Sequence, residues 1–114
     1  MATIASTTSS TKTSVAFIAK WEGLAAGDDG ALVMGAQYTD KSVQVVGVFG
    51  GATLTFQGSN NGIDWSPLTD PQGNALNFAT AKIELVSEAT LYIRPIVTGG
   101  DGTTALSVYT LMKE

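Results

Sequence analysis

The sequence predicts an all-β domain, an antiparallel β-sandwich or jelly roll of about eight strands. Three observations carry this. Apolar residues recur at period two, the spacing that sends alternate side chains to one face of a strand. Gly-, Asn- or Pro-rich turns separate most of these segments at regular intervals. No internal repeat of roughly 20–50 residues points to a solenoid or propeller.

The centre of the chain is residues 42–68, where Val43, Val45 and Phe49, then Leu54 and Phe56, alternate. Gly50 and Gly51 divide the two runs, and glycine reaches the positive φ angles that a two-residue hairpin turn requires. The expectation is that the two strands fold back on each other. A second break at residues 58–62 (GSNNG) leads to a third strand, so the stretch reads as a meander.

The other elements follow in order. Val15, Phe17, Ala19 and Trp21 alternate as a strand face, with Trp21 as a core anchor. Residues 27–30 (GDDG) form a turn. Leu32, Met34, Ala36 and Tyr38 predict a second strand. Residues 69–73 (TDPQG) read as a β-turn, because Pro presets φ and Gly closes it. Leu76 and Phe78 mark a short strand, and residues 83–86 another, although Ala81, Leu85 and Ala89 also fit a helical face. Leu91, Ile93 and Val97 alternate against Tyr92, Arg94 and Ile96. Pro95 has no N–H for a ladder, which predicts an edge position or a bulge. Residues 99–102 (GGDG) turn the chain into a last strand over residues 104–112. Leu54, Phe56, Ile93, Val97, Leu106 and Val108 are expected in the core.

With 114 residues the chain has the size of one domain. Residues 15–114 form it, preceded by a Ser/Thr-rich arm over residues 1–14. Ser or Thr fills nine positions of residues 3–14, so the arm cannot bury enough surface to order by itself. Of two readings, a disordered tail and an extended strand added to a neighbouring subunit, the second is the expectation. It makes Thr3, Ile4, Thr7, Thr8 and Thr11 candidate partner-binding residues.

There is no Cys and no His. Their absence removes the commonest general base, the Ser-His-Asp and Cys-His systems, and the ligands zinc prefers. No cofactor and no enzymatic activity are expected. Net charge is −4, and the six cations are scattered, which argues against nucleic-acid binding. No run approaches the length of a membrane span, and residues 1–14 lack the pattern of a secretory signal. Synthesis in a cytoplasm is expected, with no membrane partner.

The aspartates at 28, 29, 40, 64, 70 and 101 lie in or beside predicted turns, where Asp caps its own backbone; that reading outweighs a calcium site. Glu84 and Glu88 read as solvated surface rather than a hydrolytic pair. Residues 59–65 (SNNGIDW) are the most motif-like string. A similar Ser, Gly turn and Trp occur in discoidin-like jelly rolls that bind sugars or lipids, which makes Asn60, Asn61, Asp64 and Trp65 a candidate ligand loop beside the plainer reading of a structural hairpin. Val46 and Val48 lie opposite Val45, and Ile96 opposite Val97. Such two-sided strands in a weakly charged domain predict covered outer faces.

Residues 43–76 (VQVVGVFGGATLTFQGSNNGIDWSPLTDPQGNAL) and 91–108 (LYIRPIVTGGDGTTALSV) resemble small β-sandwich virion proteins of tailed bacteriophages that act as head decoration or cement proteins. Asn61 stands where such sequences often carry Asp, which affects turn preference only. The resemblance implies a non-enzymatic structural protein on the capsid exterior of the virion, often a homotrimer. Its implied partners are the major capsid protein and copies of itself, and its work is to clamp capsomers together. A carbohydrate-binding module and a tail or baseplate accessory protein are the alternatives.

Overall fold

A computed structural model describes residues 2–10, 16–36 and 38–113. The chain is all-β, with no helix among these residues. Twelve strands run in order: β1 (Thr3–Ile4), β2 (Thr7–Ser10), β3 (Ala16–Leu24), β4 (Asp29–Gly30), β5 (Val33–Met34), β6 (Asp40–Val48), β7 (Ala52–Ser59), β8 (Ser66–Pro67), β9 (Asn77–Phe78), β10 (Lys82–Val86), β11 (Tyr92–Gly99) and β12 (Ala105–Lys113). They exceed the expected eight because five of them, β1, β4, β5, β8 and β9, are two-residue pieces.

These strands pack as a sandwich of two sheets. A seven-stranded sheet has the order β1-β4-β11-β7-β8, with β5 also on β11 and β9 also on β7; a five-stranded sheet has the order β10-β6-β12-β3-β2. The core lies between them. Trp21 from β3 meets Phe56 from β7 edge to face, with ring centroids 6.4 Å apart, and both are fully buried. The Trp21 indole N–H donates to the Ala31 carbonyl at 2.9 Å, so its polar end is satisfied. The six expected core residues, Leu54, Phe56, Ile93, Val97, Leu106 and Val108, are all buried.

The central stretch differs from its reading. The turn at Gly50-Gly51 forms, with φ of 57° and 83° and the Ala52 N–H donating to the Phe49 carbonyl at 2.9 Å. Yet β6 and β7 do not pair: β6 lies between β10 and β12, and β7 beside β11. The turn passes the chain from one sheet to the other. Val43 and Val45 then face Leu54 and Phe56 across the core instead of along one sheet. The second half of the expected meander is present, with Gln57 and Gly58 of β7 opposite Pro67 and Ser66 of β8.

Three further expectations are corrected. The strand read over residues 32–38 shrinks to β5, and Leu32 and Met34 are exposed, because the short piece pairs only with the start of β11. Pro95 sits in an interior strand without a bulge. On that side β5 pairs through Ile93 and β4 begins at Ile96, so the missing N–H faces the gap between two short strands. Gly30 closes the gap: a Cβ there would lie 2.7 Å from Pro95 Cδ and from Trp21 Cδ1.

The third is the turn read over residues 27–30: Asp29 and Gly30 form β4 instead, because β11 and β1 pair with them on either side. Within one chain the residues of the arm pair with edges of their own sandwich: Thr3 and Ile4 run parallel to Asp29 and Gly30, and residues 7–10 run antiparallel to Phe17–Lys20. These pairings give the backbone of β1 and β2 hydrogen-bond partners within the chain. Thr11 lies outside the described residues, as do Met1, residues 12–15 and Gln37.

Candidate partner-binding surfaces

The outer face of the five-stranded sheet is built by register. Residues directly opposite on neighbouring strands project to the same side. One row therefore runs Leu85, Ser42, Leu111, Ile18, and the next Ile83, Gln44, Tyr109, Lys20. Ile83, Leu85 and Leu111 are 58%, 59% and 37% exposed. Val46 follows in the next row, opposite Ser107, and Val48 at the strand end is exposed. Lys20 is the one charged residue in these two rows. Sequence reasoning singled out Val46 and Val48 here but missed Ile83, Leu85 and Leu111. Alternation by itself turns Ile83 and Leu85 inward; the pairing of Glu84 with Val43 and Val86 with Lys41 turns them outward.

Ile96 lies on the opposite sheet, so the structure does not bring it to the valines. There a polar network covers the outer face. Arg94 stacks its guanidinium 4.2 Å from the Trp65 ring centroid, donates through Nε to Gln57 Oε1 at 3.1 Å, and lies 3.6 Å from Asp29 Oδ2. Asp29 in turn accepts from Thr3 Oγ1 at 3.0 Å. Ile96 stands opposite Asp29 and Thr55. Thr3, Ile96 and Trp65 therefore share one face, and Arg94, which sequence reasoning passed over, links two of them. Ile4 packs half-buried against the core, while Thr7 and Thr8 are exposed.

The loop of residues 59–65 is held by its own side chains. Asn61 Oδ1 accepts from the N–H groups of Ile63 and Asp64, both at 2.8 Å, and Asn61 Nδ2 donates to Asp64 Oδ2 at 3.0 Å. Asn60 Oδ1 accepts from the Leu91 N–H at 2.9 Å. Asn60 and Asp64 line a recess of about 370 Å³ with Ser59, Ser66, Glu88 and Thr90. Trp65 does not line it; its ring lies under Arg94 outside the core cluster.

Glu88 departs from its reading as solvated surface, and Lys41 is buried. Glu88 is half-buried and accepts from both the N–H and the hydroxyl of Thr69. Burial pushes its carboxyl up, but the bonds from Thr69 and from its own backbone outweigh this and hold it below the ordinary range. Lys41 is 2% exposed, with Nζ donating to the Tyr38 carbonyl at 2.7 Å. Desolvation draws this amine below the usual lysine range against the pull of Asp40. The aspartates act largely as read: Asp28 accepts from the Ala25 and Ala2 N–H groups, Asp70 from Gln72 and Asn74, and Asp101 from Thr103.

No protein-family model matches the chain, and no curated protein matches its sequence. Among solved structures, the fold is similar to that of the SPBc2 prophage-derived protein YomS, with a TM-score of 0.69 over 88% of this chain and 96% of that one. Identity is 10%, so the likeness establishes a shared two-sheet fold and nothing finer.

Proposed function

We propose that this chain is a non-enzymatic phage structural protein that decorates the outside of a capsid and stabilises contacts between capsomers. The observation that carries the reading is the outer face of the five-stranded sheet, where Val48, Leu85 and Leu111 are exposed beside half-buried Val46 with almost no charge. Monomeric proteins rarely leave such a patch uncovered. The resemblance to decoration proteins, and a fold shared with a prophage-derived protein, direct the choice of partner to the major capsid protein, with the homotrimer as the expected unit. Many weak apolar contacts repeated over a shell supply avidity without any single tight site.

The carbohydrate reading ranks behind. Trp65 does not line the recess that Asn60 and Asp64 form, and Arg94 covers one of its two ring faces, so the candidate ligand residues do not converge on one site. The test is co-sedimentation with undecorated capsids. The wild-type chain should bind and raise their resistance to heat, and Val48→Lys should abolish binding. Absence from the head, with presence on the tail, turns the reading to the accessory alternative; glycan binding lost in Trp65→Ala turns it to the sugar module.

A further inference from the structure

The five-stranded sheet ends at β10, whose outer edge pairs with no strand among the described residues. Its two charged residues, Lys82 and Glu84, are of opposite sign, so they guard the edge against an arbitrary strand but complement one another in a suitable register. It is regular over five residues, without Pro, Gly or bulge, and Ile83 and Leu85 stand exposed on it. An edge of this kind presents unpaired backbone to another strand.

We propose that β10 pairs antiparallel with β10 of a second copy, about a two-fold axis through Ile83, so that the two five-stranded sheets become one continuous sheet. The register follows from charge. Both inner faces stay on the same side only if the axis passes through a residue, because a one-residue slip turns every side chain over. An axis at Lys82 sets Lys82 against its own copy, and an axis at Glu84 sets Glu84 against its own copy; like charges directly opposite are unfavourable. An axis at Leu85 leaves Glu84 opposite the buried Val86.

An axis at Ile83 instead places Lys82 opposite Glu84 of the second copy, twice by symmetry, with the two Ile83 side chains in contact at the centre. Within one chain Lys82 and Glu84 already approach to 3.8 Å, and both remain partly exposed. A recess of about 420 Å³ beside them, lined also by Asn74, Asn77 and Phe78, leaves space for the second copy's Lys82. The opposite edge, β2 (TTSS), carries neither charge nor aliphatic side chain to set a register. The outer rows from Ile83 and Leu85 through Leu111 would continue across the axis. This contact joins copies in pairs; it is separate from any trimer contact.

The test uses the full chain in solution, without capsids, so its failure and the failure of the decoration reading are distinguishable. Sedimentation should show a dimer in reversible equilibrium. The chain has no cysteine, so Ile83→Cys should form a disulfide-linked dimer on mild oxidation, whereas Leu85→Cys, displaced from the axis, should not. Both positions are exposed, so neither change empties the core. Lys82→Glu should weaken association roughly tenfold, as both symmetric pairs turn repulsive, and adding Glu84→Lys should restore it. A chain that stays monomeric, equal cross-linking of the two cysteine variants, or no rescue by the double exchange overturns the proposal.

Discussion

At the residue scale, energy concentrates in a few fully buried side chains. Leu54 and Phe56 are both completely buried on β7, so Leu54→Ala or Phe56→Ala should cost about 2–5 kcal/mol, by lost transfer energy and the cavity left behind. Urea unfolding measures this, and a change under about 1 kcal/mol would show that the site collapses around the gap. Glu88 sets an acid dependence. Its folded carboxyl lies below the ordinary value of 4.5, so its contribution is complete above that value and is lost as pH falls through the lower folded value. The unfolding midpoint should therefore drop with acid in this window, and Glu88→Gln should flatten the drop. Lys41 carries the opposite lesson, since its buried ammonium is a cost. Lys41→Met, of similar length, should unfold at an equal or higher temperature, unless the bond to Tyr38 outweighs the desolvation.

At the element scale, the passage from β6 to β7 is the most constrained. A Cβ on Gly50 would lie 2.5 Å from Asp101 Oδ1 and 2.9 Å from the Thr103 and Thr104 hydroxyls, whereas one on Gly51 meets nothing within 4 Å. Both residues have positive φ, so both alanine substitutions are strained. Gly50→Ala should cost more, because it also separates the turn from residues 101–104, where Thr104 Oγ1 donates to the Phe49 carbonyl at 2.9 Å. Thermal unfolding of the two variants ranks them, and equal losses would mean that backbone strain acts without the steric conflict. The arm is held along sheet edges. β1 and β2 each pair along one side only, so their amides should exchange with solvent faster than those of β12, which is flanked by β3 and β6. Protection equal to that of β12 would count against this.

At the scale of the whole molecule, the two outer faces differ in kind. The seven-stranded sheet presents Arg94, Gln57, Asp29 and Thr3 joined by hydrogen bonds and ion pairing, while the five-stranded sheet presents aliphatic side chains. Burial of apolar area dominates association, so the second face is the one proposed to meet a capsid. Val48→Lys should prevent capsid binding without lowering the stability of the free chain, because Val48 is 54% exposed. Differential scanning calorimetry of decorated and bare capsids checks the first effect and of the free protein the second. A variant that still binds would move the contact to the other sheet.

Strand content, most turn positions and the core residues were legible in the sequence because they depend on local chemistry. Alternation at Leu54 and Phe56, the Pro-Gln-Gly turn after Asp70, and the glycines at 50 and 51 specify backbone shape within a few residues. Partner choice was not legible. The same glycine turn serves a hairpin or a passage between sheets, and only the competition of β12 for the side of β6, and of β11 for the side of β7, separates the two strands. The outward Ile83 and Leu85, the Pro95 gap, the buried Lys41 and the Arg94–Trp65 stack have the same origin. Each depends on which residue of a distant strand lies opposite, and register between distant strands is decided by packing of the whole core rather than by any short stretch of sequence.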